Sequence, residues 1–421
     1  MADILSRTPM SRRILKYASV IATLGVFGLG VLLIALWLDH GNETTLPVPT
    51  GPFAVGRAIY DWTDDAKFDT LAPVPGIRRE LLVWIWYPSA TAPQAARTDD
   101  YLSGPLRTEI ERVRGSLDNR FLTRDLSRVH AHSVRDSVVS PAQPAYPVAI
   151  MRAGASALVV EYSTLAEDLA SHGYVVVGFD APYRTSAVVF PDGRTMSRTP
   201  RNNPELCEEQ PMAQQAGCVN ELLEAWTGDI AFALDRLEQL NGGLDSGGPS
   251  GKFTGRLDMT RVGVFGHSFG GATAAQFCHE DSRCKAGIDV DGQPFGSVIQ
   301  AGLRQPFLFL LSDHGNSSDP ETRQIQANIQ SIYDSLPPDG RLRIAIRGAN
   351  HFFFSDDGAL LKNHFVLDVL RMVGIVGIEG RRQLAVTAYC VRSFFDRYLK
   401  RDSRAPLGIP SPHYPEIEVL K

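Results

Sequence analysis

Three features are scarce or missing in this sequence, and each one argues against a class of function. Basic residues do not outnumber acidic ones: 42 Lys and Arg stand against 47 Asp and Glu, a net charge of −5, so nothing favours nucleic acid as a partner. No block of residues repeats at a fixed period and no segment has low complexity, which argues against a repeat protein. Cysteine occurs five times, and no Cys/His spacing resembles a zinc site, so no metal is expected.

Charge is also missing from one long stretch near the N-terminus, Tyr17 to Leu38. These 22 residues would span about 33 Å as a helix, enough to cross a bilayer core. Basic residues precede the stretch and acidic ones follow it: Arg7, Arg12, Arg13 and Lys16, then Asp39 and Glu43. The positive-inside rule therefore predicts a single-pass signal anchor with the remaining chain on the non-cytoplasmic side. The alternative is a cleaved signal peptide and a secreted protein, but Ala35–Leu38 offers no small-x-small cleavage site.

The few cysteines fit an exported domain with two disulfides that close short loops. Cys207 and Cys218 lie in one loop-rich insert, whereas Cys278 and Cys284 flank the end of a predicted helix. Free thiols are the alternative for both pairs, because spacing does not show connectivity. Cys390 falls on a predicted C-terminal helix, where we expect a buried, small apolar side chain.

The alternation of strands and helices predicts one α/β domain over residues 54–421. Strands are predicted at 54–60, 79–86, 148–151, 174–179, 262–265, 286–290, 307–311 and 342–346, and helices at 161–171, 222–240, 322–335 and 383–398. Continuous apolar strands between helices indicate a mostly parallel sheet covered on both faces.

Five further segments complete the expected organisation. Residues 1–16 form a basic cytoplasmic N-terminus, 17–38 the transmembrane helix and 39–53 an extended linker. Polar segments near 89–145 and 184–217 are interpreted as inserts, the first with a helix at 124–135 and the second as a lid or a wall of the substrate site.

A nucleophile motif stands between the strand at 262–265 and the small-residue helix that follows it. Gly266-His267-Ser268-Phe269-Gly270 fits the G-x-S-x-G pattern of a nucleophile elbow, in which a sharp turn exposes the serine. The positions two before and two after the serine must lack bulk, and both are glycine here. Ser268 is therefore the candidate nucleophile; the alternative is an idle serine in a Gly-rich turn. His267 is expected to pack beside the elbow without acting as the base.

A nucleophilic serine needs a base and an orienting carboxylate, which in α/β-hydrolases follow in the order Ser, acid, His. His351 lies in the loop after the strand at 342–346, where the base is expected. Asp291 and Asp313 end consecutive strands, and position alone slightly favours Asp313. Asp289 lies inside a strand and would be buried, so it is not a first choice for the acid.

The segments around these positions resemble the plasma-type platelet-activating-factor acetylhydrolases and their microbial relatives. The resemblance runs with gaps from about Val55 to Phe395 and is carried by four segments: 168–174 (DLASHGY), 266–271 (GHSFGG), 286–292 (AGIDVDG) and 346–352 (IRGANHF). It implies an α/β-hydrolase fold and a serine ester hydrolase with a Ser268–His351–Asp291 triad, since the acid of the family aligns on Asp291.

The same resemblance implies the remaining properties of the site. The oxyanion hole would use the amides of Phe269 and Ala155, although the family usually has a His-Gly pair where this chain has Ala153-Gly154. The expected substrates are short-chain or oxidised acyl esters, including the sn-2 ester of platelet-activating-factor-like phospholipids, with no cofactor. Two alternatives are a general carboxylesterase or polyester hydrolase, and a catalytically silent membrane-tethered binding module supported only by the altered loop.

Overall fold

A computed structural model of the chain describes residues 9–90, 98–199, 202, 204–244, 251–313, 320–361, 377–405 and 411–420. Its strands are β1 (Thr44–Thr45), β2 (Ala54–Phe68), β3 (Arg78–Ser89), β4 (Val129–His130), β5 (Val134–Arg135), β6 (Tyr146–Arg152), β7 (Val175–Asp180), β8 (Ala187–Val189), β9 (Thr195–Ser197), β10 (Leu257–His267), β11 (Cys284–Val290), β12 (Phe307–Leu311), β13 (Arg341–Ile346) and β14 (Ile417–Val419). Most of the predicted strands are present but longer, because their polar ends continue the pairing beyond the apolar centre.

A ten-stranded sheet forms the centre of the protein, in the order β14-β13-β12-β11-β10-β6-β7-β3-β2-β5. The six strands from β13 to β7 in this order run parallel to their neighbours, whereas β14, β3 and β2 pair antiparallel. The mostly parallel sheet predicted from the sequence is confirmed, and this order is that of an α/β-hydrolase. Parallel strands end at the same edge of a sheet, so β10 to β13 bring their following loops together.

Helices cover both faces of the sheet. The helices of the described residues are α1 (Pro9–His40), α2 (Gly104–Leu117), α3 (Ser163–Ser171), α4 (Pro204–Glu208), α5 (Met212–Asn241), α6 (Phe269–Glu280), α7 (Val298–Ala301), α8 (Pro320–Ser335), α9 (Asp357–Leu360) and α10 (Gly380–Tyr398). Apolar side chains of α2, α3, α9 and α10 join one core cluster, and those of α5, α6, α7 and α8 join the other. Alternate residues of β6 belong to alternate clusters, as period-two side-chain geometry requires.

The N-terminal helix α1 contains a stretch, Ile14–His40, that is long and apolar enough to cross a membrane. Its large apolar side chains are exposed; Ile21 and Phe27 each show about 70% of their surface. The helix continues two residues past the predicted end at Leu38.

The segment after α1 differs from the extended linker expected at 39–53, because it is bonded to the rest of the domain. β1 pairs with β4, and the side chain of Leu46 is buried. The hydroxyl of Thr50 donates to Asp168 at 2.7 Å. These contacts join the end of α1 to the α/β domain.

The two inserts also contain more regular structure than expected. The helix predicted at 124–135 is wrong: a short 3₁₀ turn over Leu126–Arg128 is followed by β4 and β5. The second insert forms the β8–β9 hairpin, α4 and the first turns of α5.

Disulfides join Cys207 to Cys218 and Cys278 to Cys284, while Cys390 is buried with a free thiol.

Candidate active site

Four polar residues predicted from the sequence follow the ends of neighbouring parallel strands. Ser268 comes directly after β10 and Asp291 directly after β11. Asp313 follows β12 by two residues and His351 follows β13 by five. The topology therefore brings all four to the carboxyl edge of the sheet, where α/β proteins bind their ligands.

Ser268 lies in a backbone conformation that side chains rarely adopt, with φ 54° and ψ −126°. The turn is possible because its flanking residues lack a Cβ atom. A Cβ on Gly266 would lie 2.2 Å from the carbonyl oxygen of Gly270, and one on Gly270 would lie 2.4 Å from that of Ala153. The strand-turn-helix geometry required of a nucleophile elbow is therefore present.

The imidazole of His351 is hydrogen-bonded to a carboxylate from the loop that follows β11. Its Nδ1 lies 2.7 Å from Oδ2 of Asp291, whose Oδ1 accepts a bond from the amide of Ser312 at 2.7 Å. The Asp291 side chain is fully buried, while His351 keeps about a third of its side chain exposed. This pair has the geometry of a base held by an orienting acid.

Asp313, the other candidate acid, makes a different contact. Its Oδ2 accepts a hydrogen bond from the backbone amide of Gly348 at 2.8 Å, three residues before His351. Gly348 has φ 75°, so the loop turns sharply here. Asp313 therefore fixes the shape of the loop that carries His351.

The amides expected to form the oxyanion hole belong to the elbow and to the loop after β6. Phe269 is the first residue of α6, where backbone N–H groups have no partner within the helix. The loop that contains Ala155 approaches the elbow closely: a Cβ on Gly154 would lie 3.3 Å from Cβ of Ser268. Ser156 ends this loop with φ 69°, and its carbonyl accepts a bond from Ser186 at 3.0 Å.

Apolar side chains surround these two amides and form a small cluster separate from the main core. The ring of Phe269 lies edge-on to Trp226, with centroids 5.0 Å apart, and 6.0 Å from Phe295. Ala155 and Cys218 are half-buried against the same cluster. The Cys207–Cys218 disulfide of the second insert therefore lies beside the predicted oxyanion hole.

Four buried polar residues of the site region were not assigned a role from the sequence: Tyr162, His267, Asp289 and Asp356. Burial, and then the charge of His351, lower the pKa of His267 to about 3, so this imidazole is neutral. Burial raises the pKa of Asp289 and of Asp356 to about 8. The partners of His267 and Asp356 come from distant segments, whereas Asp289 accepts from the nearby amide of Gly292. The sequence indicates only the packing of His267 beside the elbow and the buried position of Asp289.

Among the described residues, no group of three or more His, Cys, Asp or Glu side chains could hold a metal ion. The polar groups at this edge are a serine, an imidazole, a carboxylate and backbone amides. This set can transfer an acyl group through a covalent intermediate.

Comparisons with known proteins agree with this chemistry. The model of the family described as platelet-activating factor acetylhydrolase, isoform II, matches residues 39–403. A probable 1-alkyl-2-acetylglycerophosphocholine esterase of Arthroderma benhamiae is 25% identical over 409 residues, which cover 89% of this chain and 93% of the relative. The platelet-activating factor acetylhydrolase of Cavia porcellus is 26% identical over 334 residues, 76% of this chain and 71% of the relative.

A solved structure resembles this fold closely. The ferulic acid esterase of Streptomyces cinnamoneus superposes with a TM-score of 0.70 at 28% identity, over 90% of this chain and all of the esterase chain.

Proposed function

Because the chain belongs to the platelet-activating factor acetylhydrolase isoform II family and is thus a serine carboxylic-ester hydrolase, we propose that Ser268, His351 and Asp291 are its catalytic triad. The observation that carries this proposal is the 2.7 Å contact between His351 Nδ1 and Asp291 Oδ2, at the same edge of the sheet as a serine in an elbow conformation.

The proposed reaction proceeds through an acyl-enzyme. Ser268 Oγ attacks the ester carbonyl while Nε2 of His351 takes its proton, and the carboxylate of Asp291 stabilises the imidazolium. The Phe269 and Ala155 amides hold the oxyanion, and His351 then returns the proton to the leaving alcohol. Water, activated by the same imidazole, attacks the acyl-serine and releases the carboxylic acid. No metal or organic cofactor takes part in this sequence.

We further propose that the acyl group is short or oxidised and that the lipid substrate resembles platelet-activating factor. The apolar cluster around Phe269 would receive the acyl chain, because the chain must lie beside the oxyanion hole. Trp226 and Phe295, which belong to the same cluster, would limit its depth, and the insert held by the Cys207–Cys218 disulfide would form one wall. The names of the Arthroderma and Cavia relatives point to an acetyl ester of an ether phospholipid.

The test is kcat/KM for acyl chains of two to sixteen carbons on one phospholipid head group. We expect a maximum at the short end, with loss of activity in Ser268→Ala. Flat or rising values toward long chains would contradict the short-chain proposal.

A second candidate function is general carboxylester hydrolysis, favoured by the likeness to a ferulic acid esterase over its entire chain. Efficient turnover of soluble aryl or feruloyl esters, with none of short-chain phospholipids, would favour this function. The silent binding module is disfavoured by the elbow conformation of Ser268 and the contact between His351 and Asp291, and labelling by a fluorophosphonate would exclude it.

We propose that α1 is an uncleaved anchor that leaves the catalytic domain outside the cytoplasm. The support is the exposed apolar surface of α1, the basic residues at its N-terminal end and two disulfides in the domain that follows. The protein should stay in membranes on alkaline carbonate extraction and be digested by protease added to intact cells. Release into the soluble fraction, or a mature N-terminus near residue 39, would show a cleaved signal instead.

A further inference from the structure

The hydroxyl of Tyr162 joins two of the loops that meet at the site. It accepts a hydrogen bond from the backbone amide of Gly154, in the oxyanion loop, at 3.3 Å. It lies 2.7 Å from Nδ1 of His267, the residue before the nucleophile. Because the oxygen accepts from Gly154, its own proton is available to donate to the imidazole nitrogen.

His267 extends this link to the base. Its ring centroid lies 4.5 Å from that of His351 and 5.7 Å from that of Phe354, and the side chain is buried. A hydroxyl that donates to Nδ1 keeps the proton of the neutral ring on Nε2. The titratable groups that face His267 are Tyr162, His351 and Asp291.

Tyr162 is itself fixed by the segment that follows the base. The carboxyl group of Asp356 accepts from the amides of Ser163 at 3.0 Å and Thr164 at 3.1 Å. The amide of Asp356 donates to the carbonyl of Glu161 at 2.6 Å. The residues on both sides of Tyr162 are therefore bonded to the loop that begins at His351.

We propose that Tyr162 and His267 are positioning residues that align the oxyanion loop with the nucleophile and the base. Neither needs to touch the substrate. The Tyr162 hydroxyl fixes the peptide at Gly154 and hence the next amide, that of Ala155. This bond would give order to a loop whose Ala153-Gly154 replaces the His-Gly pair usual in the family.

The second effect of the pair is electrostatic. When His351 takes the serine proton it becomes a cation, and a charged His267 beside it would oppose that step. Burial of the ring keeps His267 neutral, and the Tyr162 hydroxyl fixes the orientation of the ring. The pair would therefore act on turnover more than on substrate binding.

The test is Tyr162→Phe in the full-length protein, with the release of acetate from a short-chain ester as the assay. We expect kcat to fall about 10- to 100-fold, somewhat less than for complete loss of an oxyanion donor, with KM within about twofold. The matched control is Tyr146→Phe, which removes another buried hydroxyl, bonded to the carbonyl of Ser140 at 2.9 Å at the far end of β6. Tyr146→Phe should keep wild-type kcat.

The pH profile separates loss of alignment from a change in the titrating base. In the wild type one group, the base His351, must be neutral, so log kcat should fall on the acid side with a slope of one. In Tyr162→Phe the ring of His267 stays buried and neutral, so the slope should remain one while kcat is lower at every pH. Wild-type kcat in Tyr162→Phe, a slope other than one, or an equal loss in Tyr146→Phe would overturn the proposal.

A second pair of variants keeps the test independent of whether Tyr162→Phe folds. His267→Gln retains an acceptor for the hydroxyl and should keep kcat within about fivefold, whereas His267→Leu should lose as much as Tyr162→Phe. Equal rates for Gln and Leu would overturn the proposal.

The inference rests on the proposed triad, but its failure is distinct: Ser268→Ala would still be inactive, whereas an active Ser268→Ala would refute the triad itself.

Discussion

At the residue scale, Asp291 and Asp313 follow neighbouring strands but make different hydrogen bonds. Asp291 faces Nδ1 of His351, whereas Asp313 faces the amide of Gly348. Asp291→Asn should lower kcat by about 10³- to 10⁴-fold, because it stabilises the wrong imidazole tautomer. Asp313→Asn is the matched control and should lose less than about tenfold, since it alters only the loop. Steady-state kinetics on a soluble short-chain ester would distinguish the two assignments. A larger loss of kcat in Asp313→Asn than in Asp291→Asn would assign the acid to Asp313.

Asp289 gives a pH prediction for stability. Burial raises the pKa of its carboxyl to about 8, while its Oδ1 accepts from the amide of Gly292 at 2.8 Å. The folded state thus holds a proton that the unfolded state has released above about pH 4, so the contribution of Asp289 to stability falls as pH rises from 4 to 8. Asp289→Asn cannot ionise and should gain roughly 1–3 kcal/mol relative to the wild type between pH 5 and 8. Denaturant unfolding at both pH values measures this difference, and a pH-independent difference would refute it.

Single residues of the candidate site could be predicted where the neighbouring sequence restricts the backbone or the position after a strand. Ser268 was predicted from flanking glycines that any Cβ would disrupt, and His351 from its place after a strand. Ser268 has the backbone conformation of an elbow, and His351 lies within hydrogen-bond distance of Asp291. The Tyr162–His267 contact spans 105 positions of sequence and involves two ordinary-looking residues, so no local pattern indicates it.

At the scale of elements, the Cys207–Cys218 disulfide tests the role of the second insert. It joins α4 to α5 beside the apolar cluster at Phe269. The double variant Cys207→Ala/Cys218→Ala should loosen this wall and raise the ratio of kcat/KM for eight-carbon over two-carbon acyl groups severalfold. It should also lose about 2–4 kcal/mol of stability.

The other disulfide provides the control for that prediction. Cys278–Cys284 joins the end of α6 to the start of β11, at the edge of the sheet opposite the site. Cys278→Ala/Cys284→Ala should lower stability and leave the chain-length profile unchanged. An unchanged chain-length profile in the Cys207/Cys218 variant would show that the insert does not select the acyl chain. The same change in both disulfide variants would lead to the same conclusion.

Elements built from local periodicity were predicted well, and elements defined by distant pairing were not. The apolar strand β12 has the bounds that the sequence indicates, Phe307–Leu311. The 124–135 segment has helical composition, yet β4 pairs with β1 and β5 pairs with β2. Two-residue strands of this kind exist because a remote segment offers hydrogen-bond partners, and no short window of sequence contains that information.

At the scale of the whole molecule, polar contacts join the N-terminal helix α1 to the domain that contains the sheet. The order of β10 to β13 gathers Ser268, Asp291 and His351 at one edge. Arg124 bonds Asp39 at the end of α1, and its amide donates to the carbonyl of Leu360, beyond the His351 loop. We therefore infer that a membrane-embedded α1 would hold the catalytic edge in a defined orientation, which a flexible linker would not do.

The central claim is that Ser268 is the nucleophile of an ester hydrolase, and intact-protein mass spectrometry after fluorophosphonate treatment tests it most directly. The wild type should gain one adduct, mapped by peptide digestion to Ser268, and lose ester hydrolysis in proportion to labelling. Ser268→Ala should gain no adduct and hydrolyse no ester. An adduct on another residue, or a Ser268→Ala variant with more than about a tenth of wild-type turnover, would contradict the account.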